Sequence, residues 1–339
     1  MKGSTQKSKA NIVTRREVIK ILAISGIGIG LGSTILQKMG EFQNLHKYSE
    51  TRLMMGTVIN LTVVAPDREG LPFTIDKTFT EMQRWIDILD HRSAYSEVEL
   101  LNRTGQVAAP SPEMISVINQ ALSISEETQG AFDITIKPVL DAYREGIAIP
   151  DTLKSLVDYR FIRQTKEKIS FSQKGVQVTL DGIAKGAVID AGTSVLAAQG
   201  FENVLVDAGG DLMASGQRET GSRWRIGLKH PRAGETDMLS VFELTNQAAA
   251  TSGDYQYYFS EDYSVHHIID PSTFKSPQEL ASVTVLAPTA MQADGYSTAV
   301  MVMGSERGIE LVEQLPEIEV MMVTKDLQIF TSAGFPSMS

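Results

Sequence analysis

The chain of 339 residues contains no cysteine. That removes a disulfide framework, a thiolate metal site, a cysteine nucleophile and a lipidated N-terminal cysteine, while leaving the compartment open. Histidine is scarce, with five in all. There is no low-complexity tract, no internal repeat and, after residue 50, no linker-like segment. Basic residues are outnumbered by acidic ones, 31 to 41, for a formal charge of -10. An acidic body lacks the basic footprint of a general nucleic-acid binder, so no nucleic-acid partner is expected.

What is present is the material of a folded protein, 42% hydrophobic and 21% charged, long enough to bury a sizeable core as one large domain or two. The charge is unevenly placed. Lys2, Lys7, Lys9, Arg15, Arg16 and Lys20 face only Glu17 in the first twenty residues. Thr14-Arg15-Arg16-Glu17-Val18-Ile19-Lys20 is followed by the glycine-rich apolar run Ile21 to Leu36, the pattern of a twin-arginine export signal. The run has 16 residues. As a helix it reaches about 24 Å, short of the ~30 Å hydrocarbon core. No Ala-x-Ala cleavage site follows, so residues 1–36 read as a signal or an uncleaved anchor, 37–50 as a linker and 51–339 as the folded domain. The protein is accordingly expected outside the cytoplasm, in the periplasm or on the outer face of the membrane.

Periodicity predicts a strand over Met55–Val64 and a helix through Phe79, Met82, Trp85, Ile86 and Leu89. A second helix is predicted from Pro112 to Glu127, ending at Gly130. Lys168–Phe171 and Gly175–Leu180, joined by Ser172-Gln173-Lys174, read as a hairpin. A helix over Gly186–Ala198 leads into a strand at Val204–Val206. Further strands are expected at Arg223–Leu228, Met238–Leu244, Val265–Ile269 and Ser282–Leu286, with helices near Ala290–Met303 and Glu306–Gln314. The fold class is α+β: one domain of mostly antiparallel sheet packed with helices.

Four segments are too polar and glycine-rich for plain core. Leu180-Asp181-Gly182-Ile183-Ala184-Lys185-Gly186 places a lysine at a helix start, where unpaired N–H groups and a cation suit a phosphate; an ordinary turn capped by Asp181 reads the same. Val206-Asp207-Ala208-Gly209-Gly210-Asp211 lets a flat ligand approach backbone, or forms a tight turn. Ala250-Thr251-Ser252-Gly253-Asp254-Tyr255 precedes His266-His267-Ile268-Ile269-Asp270-Pro271; of two adjacent histidines on a strand only one faces a site, the other being packed or exposed. In Ala293-Asp294-Gly295-Tyr296-Ser297-Thr298, the oxygens of Asp294 and Thr298 share a helix face and suit a hard cation such as Mg²⁺; Asp294 as a helix cap is the other reading.

Together with Met55-Gly56-Thr57, Ala94-Tyr95-Ser96-Glu97 with Leu101-Asn102, and Phe132-Asp133-Ile134-Thr135 with Pro138, these segments stand in the order of the ApbE family of FAD:protein FMN transferases, which the chain resembles from Met55 to about Gly304. The resemblance implies Mg²⁺ held by the Ala184 carbonyl, Asp294 and Thr298. It implies FAD among Met55, Tyr95, Lys185, Asp211, Thr251 and Ser252, with His267 as acid/base and Lys185 as catalytic charge. The implied reaction is attack by a threonine or serine hydroxyl of an acceptor protein on the FMN-side phosphorus of FAD, with release of AMP. Two readings share the site: hydrolysis of FAD to FMN and AMP, and FAD binding without catalysis. The implied acceptor carries an Asp-x-x-x-Gly-Ala-Ser/Thr-Thr type motif absent from this chain, and is an exported or membrane redox protein. Two departures stand out: Ser272-Thr273-Phe274 replaces a basic residue, threonine and glycine, and Leu180-Asp181-Gly182 replaces a leucine-glycine-glycine run.

Overall fold

A computed structural model describes residues 45–232 and 238–338. The expected signal or anchor over 1–36 lies outside them. The described chain runs β1 (His46–Met54), β2 (Thr57–Ala65), α1 (Leu71–Leu89), α2 (Glu97–Thr104), β3 (Gln106–Ala108), α3 (Pro112–Glu127), α4 (Lys137–Glu145), α5 (Asp151–Lys154), β4 (Ile162–Gln164), β5 (Lys168–Phe171) and α6 (Ala184–Ala198). It continues with β6 (Val204–Ala208), β7 (Asp211–Ser215), β8 (Trp224–Lys229), β9 (Met238–Leu244), β10 (Gln247–Gly253), β11 (Leu280–Ala287), α7 (Ala290–Met303), α8 (Ser305–Val312), β12 (Glu319–Thr324) and β13 (Ile329–Thr331).

Eight strands form one sheet in the order β1-β2-β6-β7-β10-β11-β12-β13. Every neighbouring pair is antiparallel. Both faces are covered, which is why all of the residues of β11, apolar except for Ser282 and Thr284, are buried. Val283 and Val285 face the core shared with α1, α6 and α7, where Phe79, Met82, Val188, Ile189 and Val300 pack. Leu286 faces the other way, onto a ribbon of β8 and β9 whose Trp224, Ile226, Phe242 and Leu244 close that side.

Sequence periodicity predicts α3 with the ends it has, Pro112 and Glu127: Ser111 caps it by accepting from the Met114 N–H, and Pro112 opens the first turn. It failed where side chains replace backbone partners. The expected hairpin of 168–171 with 175–180 does not form; β5 pairs with β3 and β4 instead. Val176, Val178 and Leu180 do point inward, giving the alternating pattern of a strand. The Asn102 side chain, however, donates to the Val178 carbonyl at 2.9 Å and accepts its N–H at 2.7 Å, while the Thr179 N–H goes to Ile134 O. Val265–Ile269 likewise forms no strand and makes one isolated bridge, Tyr258 with His266. β1 starts at His46, inside the span read as linker, because its polar residues belong to a charged edge strand rather than to a tether.

Candidate active site

At one end of the large sheet, two turns meet. Met55 and Gly56 join β1 to β2 with φ of 52° and 70°, and Gly209 and Gly210 join β6 to β7. The Gly209 N–H donates to Val58 O, and a Cβ on Gly209 would stand 2.4 Å from Thr57 Oγ1, so close approach fixes glycine there. Beyond the turn, Asp211 begins β7. Its Oδ1 accepts the Thr251 N–H of β10 at 2.9 Å, and its Oδ2 pairs with Lys185 Nζ at 2.5 Å. Burial alone would pull the Lys185 ammonium down, but Asp211 and Asp294 outweigh it and hold the group well above the ordinary lysine range.

α7 brings the second half of the site. Thr289 caps it by accepting the Gln292 N–H, and Asp190 of α6 accepts the Ala290 and Met291 N–H groups at 2.8 and 2.9 Å. Neither cap is Asp294, which sits in the second turn. α6 can lie this close because a Cβ on Gly186 would fall 2.2 Å from Ala290 O. The Gly186 N–H then donates to Asp294 Oδ2 at 3.0 Å. Burial, with repulsion from Asp211, pushes the Asp294 carboxyl up to about 7. One turn on, Thr298 Oγ1 stands 3.3 Å from Ser252 Oγ, which also shares a hydrogen bond with Ser297 Oγ, and the Thr251 hydroxyl meets that of Thr284.

His267 is half-buried, with Nδ1 2.9 Å from Tyr257 O. Burial pushes its imidazole down to about 4, and Lys185, Asp181 and Arg144 lie near enough to act on its charge. His266 is fully buried, near Ser276 and Pro277, so of the two histidines it is His267 that retains solvent exposure. Asp181 does not cap α6. Its carboxylate turns to His91, Arg92 and Arg144. The departure at Ser272-Thr273-Phe274 keeps the turn: Asp270 accepts from Ser272 and Thr273, and Phe274 adopts φ 59°, the left-handed conformation glycine would take freely. Its ring packs beside Val139, Leu140 and Ile269, and its carbonyl accepts the Tyr143 hydroxyl, which offsets that strain.

Lys185, Asp211, Thr251, Ser252, Asp294 and Thr298 are thus joined by one continuous set of contacts, with Ala184 at the head of α6 beside Lys185. Met55 lies in the adjoining turn. Tyr95 is not drawn in; it is 98% exposed in the segment before α2. No cluster of three or more His, Cys, Asp or Glu occurs among the described residues. A cation here would rely on one carboxylate, a hydroxyl and a backbone carbonyl, an all-oxygen set that fits Mg²⁺ better than zinc. Sequence reasoning passed over Asp190, the lone carboxylate within the otherwise apolar stretch of α6, and it had no means of pairing Asp181 with residues 37 to 90 positions away.

The ApbE family profile matches residues 55–322. A FAD:protein FMN transferase of Vibrio cholerae is 30% identical over 306 residues, covering 83% of this chain and 89% of that protein. One of Haemophilus influenzae is 32% identical over 284 residues, covering 77% and 82%. Among solved structures, the flavin transferase ApbE of Vibrio cholerae superimposes with a TM-score of 0.74, and the ApbE protein of Thermotoga maritima with 0.77, each at 28% identity over 86% of this chain and 98% of its own. The chain belongs to the ApbE family.

Proposed function

We propose that the protein is a Mg²⁺-dependent FAD:protein FMN transferase acting on a threonine or serine of an exported or membrane redox protein. The observation that carries this reading is the continuous contact set from Asp294 through Gly186 and Lys185 to Asp211 and Thr251, in which two buried carboxylates face one ammonium.

The acceptor hydroxyl attacks the FMN-side phosphorus; a new P–O bond forms, the pyrophosphate bridge breaks, and AMP departs with the bridging oxygen. Lys185, kept protonated, presents a fixed positive charge to the phosphates at the start of α6. His267, neutral near pH 7, is free to take the hydroxyl proton. Ala184, Asp294 and Thr298 would hold Mg²⁺, which supplies Lewis-acid neutralisation of the pyrophosphate charge. Thr251, Ser252 and Met55 line the flavin side, where the Gly209-Gly210 turn leaves room for a flat ring. Export rests on Arg15-Arg16 and the run Ile21 to Leu36. No helix among the described residues is long and apolar enough to cross a membrane.

The test is incubation with FAD, Mg²⁺ and an acceptor carrying the threonine motif. Flavin fluorescence on the acceptor band of a denaturing gel, with one AMP released per label, is expected. Free FMN and AMP with an unlabelled acceptor would show a hydrolase instead, and binding without turnover a carrier.

A further inference from the structure

Asp181, which departs from the family's leucine-glycine-glycine run, gathers three side chains onto one oxygen. Its Oδ2 receives Arg92 Nη2 at 2.9 Å and Arg144 Nη2 at 3.2 Å, with His91 Nε2 at 3.3 Å. Each guanidinium is held at a second nitrogen as well: Arg92 Nη1 by Asp90 at 3.3 Å, and Arg144 Nη1 by Asp141 at 3.2 Å. Asp141 also pairs with Lys137. Counting these partners, cations and carboxylates balance, so the cluster is no simple basic patch. What it offers is two planar forks fixed in orientation, each with N–H groups left over; the side chains are 59% and 27% exposed.

The cluster borders the site. Asp181 adjoins Gly182, where a Cβ would lie 3.1 Å from Thr298 Oγ1, and its charge acts on both Asp294 and His267. Arg144 also acts on His267. Arg144 follows Tyr143, whose hydroxyl donates to Phe274 O, so α4 seats the very turn in which Ser272 stands in place of the family's basic residue. The loop carries Lys275 three positions after Ser272, and α4 brings Arg144 to the same turn through Tyr143.

We propose that Arg92 and Arg144, oriented by Asp181, bind the pyrophosphate of the dinucleotide substrate. This rests on the FAD reading above. The guanidinium forks would each donate to phosphate oxygens with geometry set before binding, which lowers the ordering cost of the contact.

The experiment measures FAD affinity of the full chain with Mg²⁺ by flavin fluorescence, alongside the melting temperature, for the wild type, Arg92→Gln, Arg144→Gln, Arg144→Lys and the double Gln variant. Loss of a charge-assisted phosphate contact predicts about tenfold weaker binding for Arg144→Gln, a smaller loss for the more exposed Arg92→Gln, about a hundredfold for both together, and partial recovery in Arg144→Lys. Melting temperatures should stay close to wild type. A wild type that binds FAD while the double variant binds it equally well would overturn the clamp alone. Weaker binding that tracks a fall in melting temperature in both single variants would overturn it too, by making the arginines structural. A wild type that binds no FAD overturns the functional reading itself.

Discussion

Two buried cation–carboxylate pairs lie near the end of β10, Lys185–Asp211 and Arg232–Asp254, and they are completed differently. Asp254 is fully buried; Arg232 reaches both of its oxygens, at 2.9 and 3.3 Å, and Lys325 stands 3.9 Å away. The Arg232 guanidinium in turn lies over the Tyr263 ring at 5.3 Å. Each buried oxygen there has a partner. In the other centre one ammonium answers two carboxylates, and Asp294, bonded by the Gly186 N–H, is pushed up to about 7 by burial and by Asp211. A saturated pair holds a fold together, whereas an unbalanced one holds a place for further charge.

The comparison can be broken at either side. Asp254→Ala should have the largest effect on stability, about 3 kcal/mol in a urea melt, because it leaves the part-buried Arg232 guanidinium, with Lys325 nearby, without its carboxylate. A loss below about 1 kcal/mol would show that the pair is not structural. Asp190→Ala should cost less, about 1–2 kcal/mol, by uncapping the helix that carries Asp294 and Thr298. It should also raise the Mg²⁺ concentration needed for turnover, which an ordinary helix cap remote from the site would not do.

Smaller still is the pH effect. His266 and His267 are both pushed down by burial from 6.5 to about 4, so between those values the unfolded chain binds protons that the folded chain does not. Their stabilising contribution is full above 6.5 and drains away as pH falls towards 4. In kcat/KM, the acid limb should fall near pH 4 rather than 6.5 if His267 is the base. An acid limb at 6.5 that persists in His267→Gln would assign that limb to another group.

The helices were legible because their signals are local. Ser111 and Pro112 open α3, and the 3- and 4-residue spacing of Phe79, Met82 and Ile86 marks the buried face of α1. The site motifs were legible because glycines and hydroxyls there interrupt an otherwise apolar pattern. β7 and β10 were not, since Asp211 and Thr251 to Gly253 spend their residues on the site rather than on alternation. The strap over Val176–Leu180 was misread because a side chain, Asn102, does the work of a neighbouring strand. The Asp181 cluster depends on partners distant in sequence, which periodicity cannot see.

The most direct test of the central claim is FMN transfer by Asp294→Asn. This variant keeps an acceptor for the Gly186 N–H and removes only the charge. The account predicts an unchanged melting temperature with Mg²⁺-dependent transfer reduced by about 10³ or more, the scale of losing a metal ligand's contribution to a phosphoryl-transfer transition state. Transfer at the wild-type rate, with the wild-type Mg²⁺ dependence, would contradict it.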